Sequence, residues 1–393
     1  MTKNPHKEPV ITLTAGPVQA YPRITRAMSR PVHYDFDVYF QAFYEEVARK
    51  AARALRVEAP ALILQAEPAV ALEAAAASLI APDDVVLNLA SGVYGKGFGY
   101  WAARYAKQVL EIEVPYNDDI KPAQVAEMLQ RHPEVAIVTA VHHDTPSGTL
   151  NPVGEIGRLV RDHGGLFLVD AVSSFAGMDI HPEDCRADVF ITGPGKCLGG
   201  APGITLVTVT DRAWAQMEGN PACPSASVLS LTDWKNAWSQ DAPFPFTPSI
   251  AEVNGLDAAL EAYFEEGPET VWARHELTAR ACRAGVKAMG LELWAAREEI
   301  AAPTTTAVRV PEGLTDETIV AAMRENFGTI ISYGRAETKG KLLRIGHMGP
   351  VAEPVYALVA VTTLGGTLNR LGYKVDVGGA VEAATAVILD GKG

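Results

Sequence analysis

Between about residue 60 and residue 220, short apolar runs alternate with stretches at helical period. The runs "DVVLNLA", "VLEIEV", "VAIVTAVH", "GLFLVDAV", "DVFITG" and "ITLVTV" read as strands, several of them apolar on both faces. Between them "GKGFGYWAARYAKQ", "KPAQVAEMLQRH" and "NPVGEIGRLVRDHG" repeat their apolar positions every three or four residues, as amphipathic helices do. This alternation predicts an α/β fold with a mostly parallel sheet between two layers of helices. In such sheets ligands gather beyond the carboxyl ends of the strands, so the residues that follow each strand carry the most information.

The proline-rich "DAPFPFTPSIAEV" breaks the rhythm, and two helical stretches follow, "SIAEVNGLDAALEAYFEE" and "PETVWARHELTARACRAGVKAMG". Then the texture changes to a βαββα order: "TTTAVRVP", "TDETIVAAMRENF", "GTIISYGR", "KLLRIGHMG" and a last helix in "VAEPVYALVAVTTLGGTLNRLG". The expected division is an N-terminal segment 1–20, a large domain 21–269 and a smaller C-terminal α+β domain 270–393.

Composition narrows the partners. The 393 residues carry a formal net charge of -13, which repels nucleic-acid phosphates and anionic lipid. No apolar stretch is long enough for a membrane span, and "MTKNPHKEPVITL" does not have the apolar core of a secretory signal. The expectation is a cytoplasmic protein that binds neither nucleic acid nor membrane. Cys185, Cys197, Cys223 and Cys282 are widely spaced without a CxxC pair, the pattern of reduced, packed thiols rather than a disulfide frame or zinc site. No metal is expected. His142 and His143 are neighbours on a strand, so their side chains point to opposite faces and do not chelate one ion.

The chemistry-bearing residues stand at strand ends. "GGLFLVDAVSS" delivers Asp170 at the end of an apolar strand, and "DVFITGPGKCLGGAPG" places Lys196 in a glycine-rich loop after another, 26 positions on (196 - 170). Either alone is ordinary: an acid there usually caps a helix, and a loop lysine is usually solvated. Together they suit pyridine chemistry, with a lysine to form a Schiff base with an aldehyde and a carboxylate to keep a pyridinium nitrogen protonated. The glycines of "ASGVYGKGFGYW" do not fit G-x-G-x-x-G, which sets a dinucleotide site aside.

The blocks "HHDTPSGTLNPVGEIGRLVRDHGGLFLVDAVSSFAG" and "TGPGKCLGGAPGITLVTV", with "LTAGPVQ" before and "LLRIGHMG" after, resemble the class V, fold type I aminotransferases, the group of alanine-glyoxylate and serine-pyruvate aminotransferases. The resemblance implies a fold type I, pyridoxal phosphate (PLP)-dependent transferase-like architecture. It assigns Lys196 to Schiff-base formation and proton transfer, and Asp170 to the pyridine nitrogen. Val172 is implied beneath the ring, Tyr94 of "SGVYG" stacked above it, and the Thr145 hydroxyl at its side. Arg344, with Arg335 nine residues earlier (344 - 335), is implied to grip the substrate carboxylate. Phe246 and Thr247 of "FPFTPS" match a segment contributed by a neighbouring subunit, so a homo-oligomer, dimer or tetramer, is expected. Cys197 beside the lysine is read as core packing.

One stretch departs from the family pattern. Where relatives place Gly, Ser and Thr around a phosphate, "LQAEPAVALEAA" offers Gln65, Ala66, Glu67 and Pro68. Pro68 removes a donor. A Glu67 carboxylate about 4 Å from a phosphate charge opposes it by roughly 4 kcal/mol at an effective dielectric of about 20. A carboxylate instead accepts a hydrogen bond from a primary alcohol, the group that pyridoxal and pyridoxamine carry in place of the phosphate. With that departure, the resemblance implies transamination of pyridoxamine and pyruvate to pyridoxal and L-alanine, as in vitamin B6 degradation, the keto acid and amino acid coming from the resemblance alone. The vitamin is then a substrate, and no cofactor is held tightly. The alternative is a conventional PLP-dependent enzyme of the alanine-glyoxylate or serine-pyruvate type.

Overall fold

All six apolar runs become strands of one seven-stranded sheet in the computed structural model, which describes residues 8–239 and 244–391. Across the sheet the order is Leu62–Leu64, Thr205–Val209, Val189–Thr192, Leu166–Asp170, Val135–Val141, Val85–Ala90 and Gln108–Glu113. Only Thr205–Val209 runs against its neighbours, and the other pairings are parallel. Val85–Ala90 and Leu166–Asp170 are buried at every position, as strands sandwiched between helices must be. The covering helices show why they form: Val153–His163 buries Val153, Ile156, Gly157 and Val160, one stripe at helical spacing. Each large aliphatic side chain withdrawn this way, such as Leu87 or Ile137, stabilises the fold by about 1.5–3 kcal/mol.

The chain passes from Val85–Ala90 outward to Gln108–Glu113 and then returns to the other side for Val135–Val141. That reversal opens a crevice beyond the carboxyl ends of the strands. Segments carrying Tyr94 and Asp144 leave the two strands that flank it.

A second buried cluster lies around a four-stranded sheet of order Ile11–Leu13, Thr329–Tyr333, Leu342–Gly346 and Thr305–Arg309. Part of the N-terminal segment thus completes a sheet built otherwise from residues beyond 300, with Ile11 opposite Thr329 and Leu13 opposite Ile331. The last helix is not the one expected at 351–372: Pro354–Arg370 is followed by Val377–Asp390, capped by Asp376 on the Gly379 N–H at 3.0 Å. Its Ala, Val and Gly residues show little polar contrast around the axis, which hid it from a search by periodicity. Among the described residues no helix is long and apolar enough to cross a membrane.

Candidate active site

Asp170 ends its strand with the side chain buried and one carboxylate oxygen accepting the Val172 N–H at 2.9 Å. Burial raises its pKa to about 7, and the charges of Asp144 and Glu67 push the same way against the pull of Lys196. Lys196 leaves the neighbouring strand Val189–Thr192 and donates from Nζ to the Ala15 carbonyl at 3.2 Å. Burial, followed by the positive charge of Arg344, lowers its pKa to about 8. An amine poised there is partly neutral near physiological pH, as a nucleophile and proton carrier must be.

The lysine pocket has a wall that sequence reasoning did not find. Gly16 turns with φ +98°, and a Cβ built there would overlap the end of the Lys196 side chain. Only glycine combines that backbone with so close an approach. "LTAGPVQ" carried the signal, yet nothing in sequence indicates that residue 16 meets residue 196.

Across the crevice, Tyr94 stands in the first turn of the helix Val93–Tyr105. Its phenol pKa is raised by burial, and the charges of Arg335, Asp144, Arg344 and Asp170 all reach it. Asp144, which sequence reasoning passed over inside "HHDTPSG", accepts the Tyr94 and Gly95 N–H groups at 2.8 and 3.1 Å. The Thr145 hydroxyl pairs with Ser173 Oγ at 2.7 Å, and the Thr145 carbonyl accepts from Arg344 at 3.3 Å. Arg344 also donates twice to the Tyr333 carbonyl, at 3.0 and 3.3 Å. Its guanidinium is thus oriented by backbone oxygens, and among the described residues no carboxylate forms an ion pair with it. Arg335 is exposed, close enough for its charge to act on both Tyr94 and Arg344.

Glu67 is the N-cap of the helix Pro68–Leu79, its carboxylate accepting the Ala69 N–H at 2.9 Å. Its charge nevertheless reaches Asp170 and Lys196. The rest of this helix terminus is also committed: Pro68 has no N–H, and the Val70 and Ala71 N–H groups donate to the Glu67 carbonyl at 2.9 and 3.4 Å. Val172 is buried directly after the Asp170 turn. Phe246 does not join this network in the single chain. It packs edge-on against Trp234 with ring centroids 5.1 Å apart, and Thr247 beside it is exposed. Residues 241–243 of the expected "DAPFPFTPS" segment lie outside the described residues.

Two neighbouring groups are chemically quiet. Burial drives His143 down to about 3, leaving a neutral imidazole whose Nδ1 lies 3.0 Å from the Ser173 carbonyl and 2.9 Å from the Thr304 hydroxyl. The Cys197 thiol is buried and pushed up to about 12, in keeping with a packing role.

A lysine and an acid on adjacent strand ends, faced by an aromatic ring and an unpaired arginine, agree with the likeness of this chain to known proteins. The sequence pattern of the family "Aminotransferase class-V" matches residues 19–348. The chain belongs to the class-V aminotransferases. This family has the fold type I architecture of PLP-dependent enzymes. Within it, the chain is 61% identical to the pyridoxamine--pyruvate transaminase of Mesorhizobium japonicum over 98% of both chains. The crystal structure of pyridoxamine-pyruvate aminotransferase from Mesorhizobium loti superposes with a TM-score of 0.97 at 59% identity, covering 100% of both chains. The ureidoglycine-glyoxylate aminotransferase of Bacillus subtilis follows at 28% identity and a TM-score of 0.92, covering 98% of this chain and 99% of its own.

Proposed function

We propose that this chain transaminates pyridoxamine and pyruvate to pyridoxal and L-alanine, taking the vitamin as a substrate rather than as a resident cofactor. The observation that carries the reading is the terminus of the Pro68–Leu79 helix, where Glu67 places a carboxylate on the Ala69 N–H. A phosphate needs free N–H donors and no competing anion, so PLP does not fit there. A hydroxymethyl group does, as a donor to the second oxygen of Glu67. The pyridine end fits too, because the buried Asp170 carboxyl can exchange a proton with a ring nitrogen near neutral pH. The relatives above 55% identity, named for pyridoxamine and pyruvate, support the same choice.

Bound pyridoxamine supplies the amine to be moved and a pyridine ring that takes up an electron pair. This chain's residues do the rest. Arg344, and Arg335 beside it, bind the pyruvate carboxylate. Tyr94 and Val172 hold the ring from its two faces, with the Thr145 hydroxyl at its edge. Asp170 keeps the ring nitrogen protonated. Lys196, partly neutral, carries the proton between the two carbons that exchange the amine, and then captures the aldehyde. The division into a large domain 21–269 with Asp170 and Lys196, and a small domain 270–393 with both arginines, sets the ring grip and the carboxylate grip on separate bodies. Glu67 and Arg335 are exposed in the single chain, which supports a homo-oligomer whose neighbouring copy covers them with Phe246 and Thr247.

The test is a visible spectrum of the dialysed protein, followed by separate titrations with pyridoxal and PLP. The expected result is a colourless protein that gains a visible band with pyridoxal at least tenfold more readily than with PLP, and no band in Lys196→Ala. A protein that keeps stoichiometric PLP through dialysis would overturn this reading in favour of a conventional PLP-dependent enzyme.

A further inference from the structure

We propose that Asp144 is a positioning residue for the pyridoxal ring, fixing the Tyr94 platform by capping its helix from outside. The proposal rests on the transamination reading above. The first N–H groups of any helix lack intrahelical partners, and the usual remedy is a side-chain oxygen of the N-cap residue on the second or third helical N–H. Here the N-cap is Gly92, which has no side chain to offer. The second and third helical residues are Tyr94 and Gly95, and both N–H groups run to Asp144 Oδ2, at 2.8 and 3.1 Å. Glycine at 92 follows from the same arrangement, because a Cβ there would overlap the Asp144 carboxylate.

A cap borrowed from another element does more than close a helix end. Asp144 lies in the short hairpin His143–Asp144 with Thr149–Leu150, and the next residue, Thr145, gives its carbonyl to Arg344 and its hydroxyl to Ser173. Two adjacent residues therefore register the ring platform against the carboxylate grip. A side chain local to the helix would stabilise it without setting that register. The Asp144 side chain is fully buried and its Oδ1 has no hydrogen-bond partner, an expensive arrangement for a simple cap. Its negative charge faces the unpaired cation of Arg344 and the phenol of Tyr94, which gives the buried carboxylate a reason to be there.

The test titrates the full-length protein with pyridoxal and reads the dissociation constant from the Lys196-dependent visible band. Asp144→Ala is expected to weaken pyridoxal roughly tenfold, the size of a lost N-cap. Asp144→Asn keeps an oxygen for the two N–H groups and is expected to stay within about threefold of the unmodified protein. Because Asp144 acts through Tyr94, Asp144→Ala in a Tyr94→Ala background is expected to cost less than about twofold. A loss of folded protein lowers the amplitude of the band and leaves the constant alone, so a merely structural role is separable. Gly92→Ala presses on the same carboxylate from the other side and provides a second variant with the same expected tenfold loss should Asp144→Ala not fold. An unchanged constant in Asp144→Ala or Gly92→Ala, or an equal loss with and without Tyr94, would overturn the inference alone. Failure of the unmodified protein to bind pyridoxal would overturn the transamination reading, and this inference with it.

Discussion

Glu67 occupies a helix terminus that would otherwise be open to an anion. The Pro68–Leu79 helix terminus would attract an anion, but Glu67 already sits on its Ala69 N–H, Pro68 has no donor, and the next two N–H groups are taken by the Glu67 carbonyl. Glu67→Ser returns the Ala69 N–H and removes the repelling charge. The full repulsion of roughly 4 kcal/mol per phosphate charge applies at about 4 Å with an effective dielectric near 20. Glu67 is exposed in the single chain, so solvent screening reduces the effect. PLP is expected to bind at least tenfold tighter to this variant while pyridoxal binds more weakly, both measured by absorbance titration. Equal affinities for PLP before and after the change would refute the role given to Glu67.

The N-terminal strand and turn form an element whose purpose is invisible until the chain folds. Ile11–Leu13 pairs with Thr329–Tyr333, and the turn that follows brings the Ala15 carbonyl and Gly16 against Lys196. This turn therefore links the small sheet to Lys196. Gly16→Ala both strains a backbone at φ +98° and collides with the lysine amine. A displacement of about 1 Å at a reacting atom costs roughly a hundredfold in rate. The variant is expected to keep its far-ultraviolet circular dichroism and lose about that much turnover of pyridoxamine with pyruvate. Retention of more than a tenth of the activity would show that the turn does not hold Lys196.

At the scale of the whole molecule, buried ionisable groups make stability depend on pH in a direction that can be worked out. His142 is lowered to about 4, and His143, His275 and His347 to about 3, in each case chiefly by burial. Unfolding exposes them to protonation near pH 6.5. Their contribution is present above pH 6.5 and is lost as pH falls toward 3–4. Asp144 and Asp170, raised to about 6 and about 7, act oppositely: the stability they add is present below about pH 4 and lost as pH rises through 6–7. Four imidazoles outweigh two carboxyls, so the ligand-free protein is expected to lose stability between pH 6.5 and 5. The slope is up to about 1.4 kcal/mol per pH unit for each unbalanced proton. Urea unfolding at both pH values checks this, and greater stability at pH 5 would contradict it.

By itself the sequence determined six of the seven strands of the large sheet and the helices packed between them, and it pointed to a chemical type for the site. Strands buried on both faces must be continuously apolar, helices must carry one apolar stripe, and a lysine and an acid at strand ends restrict the possible chemistry. Asp170 and Lys196 stand at the ends of apolar strands, where a local pattern marks them, whereas Tyr94, Thr145 and Arg344 were pointed to only by the resemblance of their blocks to the family. Three-residue strands such as Ile11–Leu13 and Leu62–Leu64 were not, since they are too short to show a period. What only the tertiary structure decided was which distant groups meet. Gly16 against Lys196, and Asp144 beneath Tyr94 and beside Gly92, are contacts between segments 180 and about 50 residues apart (196 - 16; 144 - 94). No local pattern encodes such pairs, because their distances are set by how whole elements pack against one another.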